Sequence, residues 1–400
     1  MSTPPWQPTP QPAYPPQHPA AYLPPQHVGG NATVRPVLRR TIQLGVVVTL
    51  FAVAALVLSR TITESTGLTG ALLGLLAAST AIGIVVPVFL WVDRMEAEPA
   101  RLMWFAFLWG ALISTLGALV LNQFGVAIFA GLEVDPYLAG AVFVAPAVEE
   151  TLKCAGVLLI FLMARREFNG VVDGIAYAGV TAAGFAFVEN IIYLGTSYAD
   201  LGTPGLVTVF IVRCLASPFA HPMFTCCFGI ALGLIAHRRS PAFAFIPALG
   251  LLLAIFLHGL WNFGAVSTGR GFLLTYVVVQ VPLFIAFVCV LIWARRRETA
   301  MVRDNLTGYG LNGWFTPAEV AMITSPGERR RARQWAKGVG GQQAQQAMEA
   351  FQDEAAELAI ARQHLNRRTT DATWVAREQH LLAAVQQHRA GFSGVGPPRS

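Results

Sequence analysis

The sequence predicts an all-α, polytopic integral membrane protein with about eight transmembrane helices and a small cytoplasmic helical tail. Three observations predict it. Of 400 residues, 54% are hydrophobic and only 12% charged, against about 25% charged in a soluble domain. Apolar runs of the length that crosses a ~30 Å hydrocarbon core recur along the chain. The arginines, finally, fall almost entirely on one side of those runs, as cytoplasmic loops require.

In chain order, residues 1–34 hold ten of the 25 prolines and no charged side chain. They cannot bury a core, and they read as a disordered cytoplasmic tail with polyproline character. A solvated tail is a simpler reading than a docking site for a proline-binding module. The spans follow at 41–59, 68–92, 102–121, 137–163, 171–195, 205–236, 242–264 and 271–294. The sixth is too long for one straight crossing, and Pro218 and Pro222 predict a break within it. Twelve arginines between Arg35 and Arg297 flank one side of these spans, and only Arg60 and Arg270 the other. Both termini are therefore expected in the cytoplasm of a multi-pass protein of the cell membrane. No cleavable signal peptide is expected ahead of the first span.

A core of 35–297 is thus followed by a cytoplasmic region, 298–400. Thr316-Pro317-Ala-Glu319 carries the signature of a capped helix start. Met348, Phe351, Ala355, Leu358, Ala361 and Leu365 step by three or four, the stripe of an amphipathic helix. Asp371 reads as the cap of a second helix with Val375, Leu382 and Val385 on one face. The pair predicts a helical hairpin, open to a protein partner or to self-association. The net charge of +6 comes from topology-setting arginines and tail charges, and no aromatic-interleaved basic patch points to nucleic acid. The five cysteines form no C-x-x-C pair, so neither a disulfide framework nor a zinc ribbon is implied.

One feature breaks the apolar pattern. Glu149-Glu150-Thr-Leu-Lys153 lies inside the fourth span, while Tyr137 to Val148 and Cys154 to Met163 carry no charge. An ionised side chain at mid-bilayer costs about 2.5–3.5 kcal/mol or more, so three within five residues must face a protein interior. The fifth span holds Phe185-Ala-Phe-Val-Glu189-Asn190 and begins near Asp173; the sixth holds Arg213 and His221; the seventh holds His258-Gly-Leu-Trp-Asn262. Each group alone has a plain structural explanation. Glu150 and Lys153 are spaced as an ion pair, His258 and Asn262 as interhelical hydrogen-bonding glue, and Arg213 and Asp173 as residues reaching toward the interface. Acids and imidazoles on four consecutive helices are harder to explain that way. Two carboxylates and two histidines in one low-dielectric pocket suit a divalent metal, or a water polarised for attack on a carbonyl. At ~1.5 Å per residue, Glu149 lies roughly 18 Å, and Glu189 and His258 roughly 9 Å, below the outer ends of their spans, so the pocket is expected to open extracytoplasmically.

Glu-Glu-x-x-Lys, Phe-x-x-x-Glu-Asn, a histidine and His-x-x-x-Asn, in that order on successive spans, resemble the PrsW family of intramembrane proteases. That family is related to the type II CAAX prenyl endopeptidases, which have Glu-Glu-x-x-x-Arg, Phe-x-x-x-His and His-x-x-x-Asn. The resemblance covers about residues 137–294. It implies Glu149 as general base, Glu150 and Lys153 as the groups that tune it, and Asn262 as donor to a tetrahedral oxyanion. It implies Glu189, His221 and His258 as metal ligands, with zinc the metal and a metal-free glutamate–histidine mechanism left open. The histidines read equally as water- or oxyanion-binding groups, and Glu189 stands where the prenyl peptidases place histidine. The implied partners are the lipid bilayer and a membrane-anchored protein substrate such as a single-pass anti-sigma factor. Two rival functions fit the same residues: a proton- or ion-coupled transporter, disfavoured by the lack of an inverted repeat, and a membrane scaffold signalling through residues 299–400.

Overall fold

The computed structural model describes residues 34–95, 97–129, 135–165, 168–236, 243–267, 269–367 and 372–393. They fall into two compact units, Val47–Arg296 and a second made of Arg297–Ser400 with the chain up to Val46. The proline-rich segment lies outside the described residues except for Val34, as does Asp371, the expected cap. All regular structure among the described residues is helical.

Val47–Arg296 holds α1 (Val34–Val92) from Val47 on, α2 (Ala100–Leu108), α3 (Thr115–Phe129), α4 (Pro136–Ala139), α5 (Ala145–Met163), α6 (Val171–Val209), α7 (Ala220–Ile235), α8 (Phe245–Val266), α9 (Gly269–Thr275) and α10 (Val281–Leu311) up to Arg296. Among the described residues, π-helical turns join neighbours at Trp109–Ser114, Gly140–Val144, Phe210–Ala216 and Tyr276–Gln280. The gap between the first two expected spans, 60–67, is mostly helix. α1 continues past Arg60, whose side chain pairs with Glu64 at 2.7 Å one turn on, and breaks only at Gly67, at φ 67°. Likewise α6 runs on to Gly202, at φ 66°. Glycine alone adopts that left-handed conformation without strain. The expected proline break falls at Ser217–Phe219, between the third π-helical turn and α7.

Among the described residues, five stretches are long and apolar enough to cross a membrane: Leu44–Val92, Ala100–Gly125, Val171–Ile235, Phe245–Val266 and Gly269–Leu311. This differs from the expected eight for physical reasons. Leu44–Val92 has 49 residues and Val171–Ile235 has 65, each more than the ~20 that one crossing needs, and each contains a left-handed glycine. The stretch through α5 drops out because Glu149, Glu150 and Lys153 crowd its centre.

The N-terminal half of α6 is the central column of this unit. Every residue from Val172 to Ala186 is buried, so the helix is enclosed on all faces rather than one. Close backbone approach permits this: a Cβ on Gly174 would stand 2.0 Å from the Gly229 carbonyl oxygen of α7, and one on Gly184 2.1 Å from that of Phe107. Small residues at such crossings are how helices associate in lipid, where apolar burial alone gives no drive. Phe89, Phe168, Tyr177 and Phe224 fill the space around α6. Large apolar side chains such as Leu56, Leu76, Trp104 and Phe256 point outward.

The other unit contains α11 (Pro317–Ile323), α12 (Pro326–Arg367) and α13 (Ala372–Ser393). The cap on α11 forms as its sequence predicts: Glu319 N–H donates to Thr316 Oγ1 at 3.1 Å, and Thr316 N–H to a Glu319 carboxylate oxygen at 2.8 Å. The stripe on α12 is buried at Met348, Phe351, Ala355, Leu358, Ala361 and Leu365. On α13 the buried face is Leu381, Val385 and Phe392. Val375 is exposed and Leu382 only half-buried, so the stripe is rotated from the expected phase.

Candidate functional site

Four helices bring the polar residues together. On α5, helical spacing puts Glu149 and Glu150 on the same side as Lys153, one turn away. Glu189 comes from the middle of α6, His221 from the first turn of α7 and His258 from the middle of α8. Glu150 and Lys153 are wholly buried, and Glu149, His221 and His258 are no more than 6% exposed.

Glu150 is the most heavily engaged acid. It accepts from Lys153 Nζ at 2.6 Å and from Thr225 Oγ1 at 2.8 Å, and meets His258 Nδ1 at 2.9 Å. A carboxylate against Nδ1 leaves the Nε2 of His258 as the nitrogen with a free lone pair. That nitrogen lies 3.8 Å from Glu149 Oε2, beyond hydrogen-bond reach. Lys153 Nζ is 3.9 Å from the same oxygen. Glu149 Oε2 is therefore buried without a hydrogen-bond partner, a state that native interiors rarely leave unexplained.

His221 sits between two partners, Lys153 Nζ at 3.2 Å from its Nδ1 and Glu189 Oε2 at 2.8 Å from its Nε2. Its ring meets that of His258 edge-on, with centroids 5.0 Å apart. Phe224 stacks on His258 and Phe185 packs against His221. The ring of Phe185 also carries Lys153 Nζ over its face, 4.3 Å from the centroid. These aromatic walls keep water from competing with the polar contacts.

Ligand atoms of Glu149, His221 and His258 lie within 4.8 Å of one another. Glu149 has an unpartnered oxygen and His258 a free lone pair at Nε2, whereas His221 would have to release Lys153 or Glu189 to become a third ligand; Glu150 on the far nitrogen of His258 is the outer support that metal-binding imidazoles usually have. The grouping differs from the expected set of Glu189, His221 and His258. Glu189 is instead paired with Arg213 and with His221, and Glu149 stands with the two histidines.

Three further polar residues have partners of their own. Asn262 donates through Nδ2 to the Ala141 carbonyl at 2.8 Å, inside the π-helical turn that precedes α5. Arg213 does not reach for the interface: Nε donates to Asn190 Oδ1 at 2.7 Å, and the guanidinium pairs with Glu189. Asp173 turns back on the start of α6, accepting from the backbone N–H groups of Asn169 and Gly170. Thr225 escaped the sequence reading, although its place four residues after His221 on one helix marks it as facing the same way.

A model described as the PrsW family intramembrane metalloprotease matches residues 98–287, a segment that holds every member of the cluster. The Protease PrsW of Clostridioides difficile is 30% identical over 213 residues, covering 50% of this chain and 83% of that protein. That of Geobacillus kaustophilus is 28% identical over 193 residues, covering 47% and 78%, and that of Oceanobacillus iheyensis 28% over 192 residues, covering 48% and 83%. No solved structure matches the chain. A likeness that spans most of each relative, beside a family match that holds every member of the cluster, places this chain in the PrsW family of intramembrane proteases.

Proposed function

We propose that the cluster hydrolyses a peptide bond in another membrane-anchored protein, near the outer face of the bilayer, with Glu149 as the general base. The observation that carries this reading is the buried Glu149 Oε2, which lacks a partner in a cluster where its neighbours are tied down. A carboxylate oxygen with its lone pairs free is the group able to take a proton from an attacking water. Glu150, bonded to Lys153, Thr225 and His258, holds the site in register and sets the tautomer of His258. Lys153 provides the counter-charge for both acids. Glu189 orients His221. Asn262 keeps a second amide hydrogen beyond the one given to Ala141, and this hydrogen would serve the developing oxyanion.

His221 and His258 would hold a divalent metal, zinc by donor type, beside a Glu149 oxygen that stays free as the base; the metal's chemistry when bound is to polarise a carbonyl and acidify a water. The residues themselves orient the scissile bond and exclude solvent. Eight crossings with both termini cytoplasmic place the cluster in the outer half of the membrane. The same reading keeps 1–34 and 298–400 as cytoplasmic regions on a core of 35–297, the latter open to a protein partner. Reporter fusions after Arg166 and after Arg239 should report cytoplasm, and fusions within 196–204 the outside. A reversed pattern contradicts the outward-facing site. The substrate class that the family suggests is a single-pass anti-sigma factor.

The experiment is purified protein co-reconstituted with a single-pass membrane substrate, beside the same protein in sealed vesicles under a proton gradient. Cleavage without proton movement supports hydrolysis. Proton movement without cleavage would replace it with ion-coupled transport.

A further inference from the structure

We infer that Arg213 is a positioning residue of this site: its guanidinium holds Glu189 and Asn190 as a fork, and so fixes the carboxylate that orients His221. The inference rests on the hydrolytic reading above and deepens it.

Arg213 lies in the π-helical turn Phe210–Ala216, within an otherwise apolar stretch, with its side chain 20% exposed. A cation so placed is costly unless its hydrogen bonds are met. One face of α6 meets them. Nε donates to Asn190 Oδ1 at 2.7 Å, a terminal nitrogen donates to Glu189 Oε2, and the guanidinium carbon lies 4.2 Å from the ring centre of Tyr193, one turn further along. Two edge contacts and one face contact leave a planar fork little freedom to rotate. An ammonium cannot reproduce this, because it is a point charge without a preset direction.

The carboxylate so held has a second task. Glu189 Oε2 also lies 2.8 Å from His221 Nε2, and the other nitrogen of His221 faces Lys153. Arg213 and His221 stand on opposite sides of the chain break at Ser217–Phe219. The break frees α7 from the path of the preceding helix, so the direction of His221 depends on contacts across the break. Glu189 is the point where both sides meet. π-Helical turns recur at functional sites because they displace a side chain from the regular helical phase, and here the displaced side chain is the fork.

The alternative is a plain ion pair in which any cation would serve. Arg213→Lys separates the two, since it keeps the charge and loses the fork. Purified wild type and Arg213→Lys are compared by steady-state cleavage of the co-reconstituted substrate, by melting temperature in detergent, and by the ¹⁵N spectrum of histidine-labelled protein. The expected result is an unchanged melting temperature and KM, a kcat lower by about 10²-fold, as a misplacement near 1 Å can produce, and displaced His221 nitrogen signals. Wild-type kcat in Arg213→Lys would overturn the inference, as would unchanged His221 signals or a loss that merely follows melting temperature. If wild type itself fails to cleave, the hydrolytic reading is what has failed.

Discussion

In Val47–Arg296 the charges that matter are the deepest side chains of the unit; in the unit built on Arg297–Ser400 most charged pairs lie at the surface. Glu150 and Lys153 are 0% exposed, whereas Arg333–Glu349 and Arg377–Glu357 each have a partner about half exposed. The tail unit puts apolar residues at its centre instead, with Phe351 and Leu358 fully buried. Its nearest approach to the other pattern is Arg389, which lies over Phe315 and Phe351 while pairing with Glu319 at 2.9 Å. The contrast follows from the solvent each unit is built for. Water meets and screens a surface charge at little cost. In a lipid-facing unit every charge must find its partners within the protein, so an intact cluster is tolerated and a broken one is not.

The largest effects should come from breaking the buried cluster unevenly. Replacing Glu150 and Lys153 together, as Glu150→Leu with Lys153→Met, removes a buried pair at once and should leave the fold as stable as before. Cleavage should vanish, because His258 loses its orienting carboxylate and Glu149 its counter-charge. A double variant that is stable and fully active in a membrane-reporter assay would make the pair structural only. Lys153→Met alone should be the less stable protein, by about 3–5 kcal/mol, since acids then lie uncompensated; thermal melting in detergent decides the order of the two.

In the tail unit the response should track apolar volume rather than charge. Phe351→Ala, which opens a cavity against Phe315 and Phe392, should destabilise this unit by about 3–5 kcal/mol, read as lost amide-exchange protection in α12 and α13. Full protection there would mean that the apolar stripe does not hold the unit. Thr316→Ala should cost about 1 kcal/mol through the lost cap on α11, seen as faster exchange in its first turn only. The smallest change is expected for Arg333→Ala with Glu349→Ala, a pair 2.7 Å apart at a site worth less than about 1 kcal/mol. A double-mutant cycle giving several times that would erase the distinction between the units.

How much of this is legible in sequence differs between the same two regions. The apolar spans and the conspicuous charges within them can be read directly, because lipid forbids both polar interruptions and unpaired charge. The wiring cannot. That Glu149, rather than Glu189, is grouped with both histidines depends on how closely α8 approaches α7 and the turn before α5, where a Cβ on Gly259 would stand 2.7 Å from the Val142 carbonyl oxygen and one on Gly250 2.8 Å from that of Cys227. The partners of Arg213 are not legible either, because Glu189 and Asn190 lie on another helix. The stretches 60–66 and 196–201 lie between expected spans yet are helical, and in the first of them Arg60 pairs with Glu64 one turn on. In the tail, the stripe on α12 is legible at every position. The face of α13 is not: the adjacent leucines Leu381 and Leu382 leave its phase open, and packing selects the first.

The account rests on Glu149 being the group that takes the proton. Glu149→Gln keeps the shape and hydrogen-bonding capacity of the side chain and removes its basicity. In single-turnover cleavage of a co-reconstituted membrane substrate, a lost general base should lower the rate by about 10²–10⁴-fold, with expression and melting temperature close to wild type. Wild-type turnover in Glu149→Gln would contradict the account and move the base to Glu150 or Glu189.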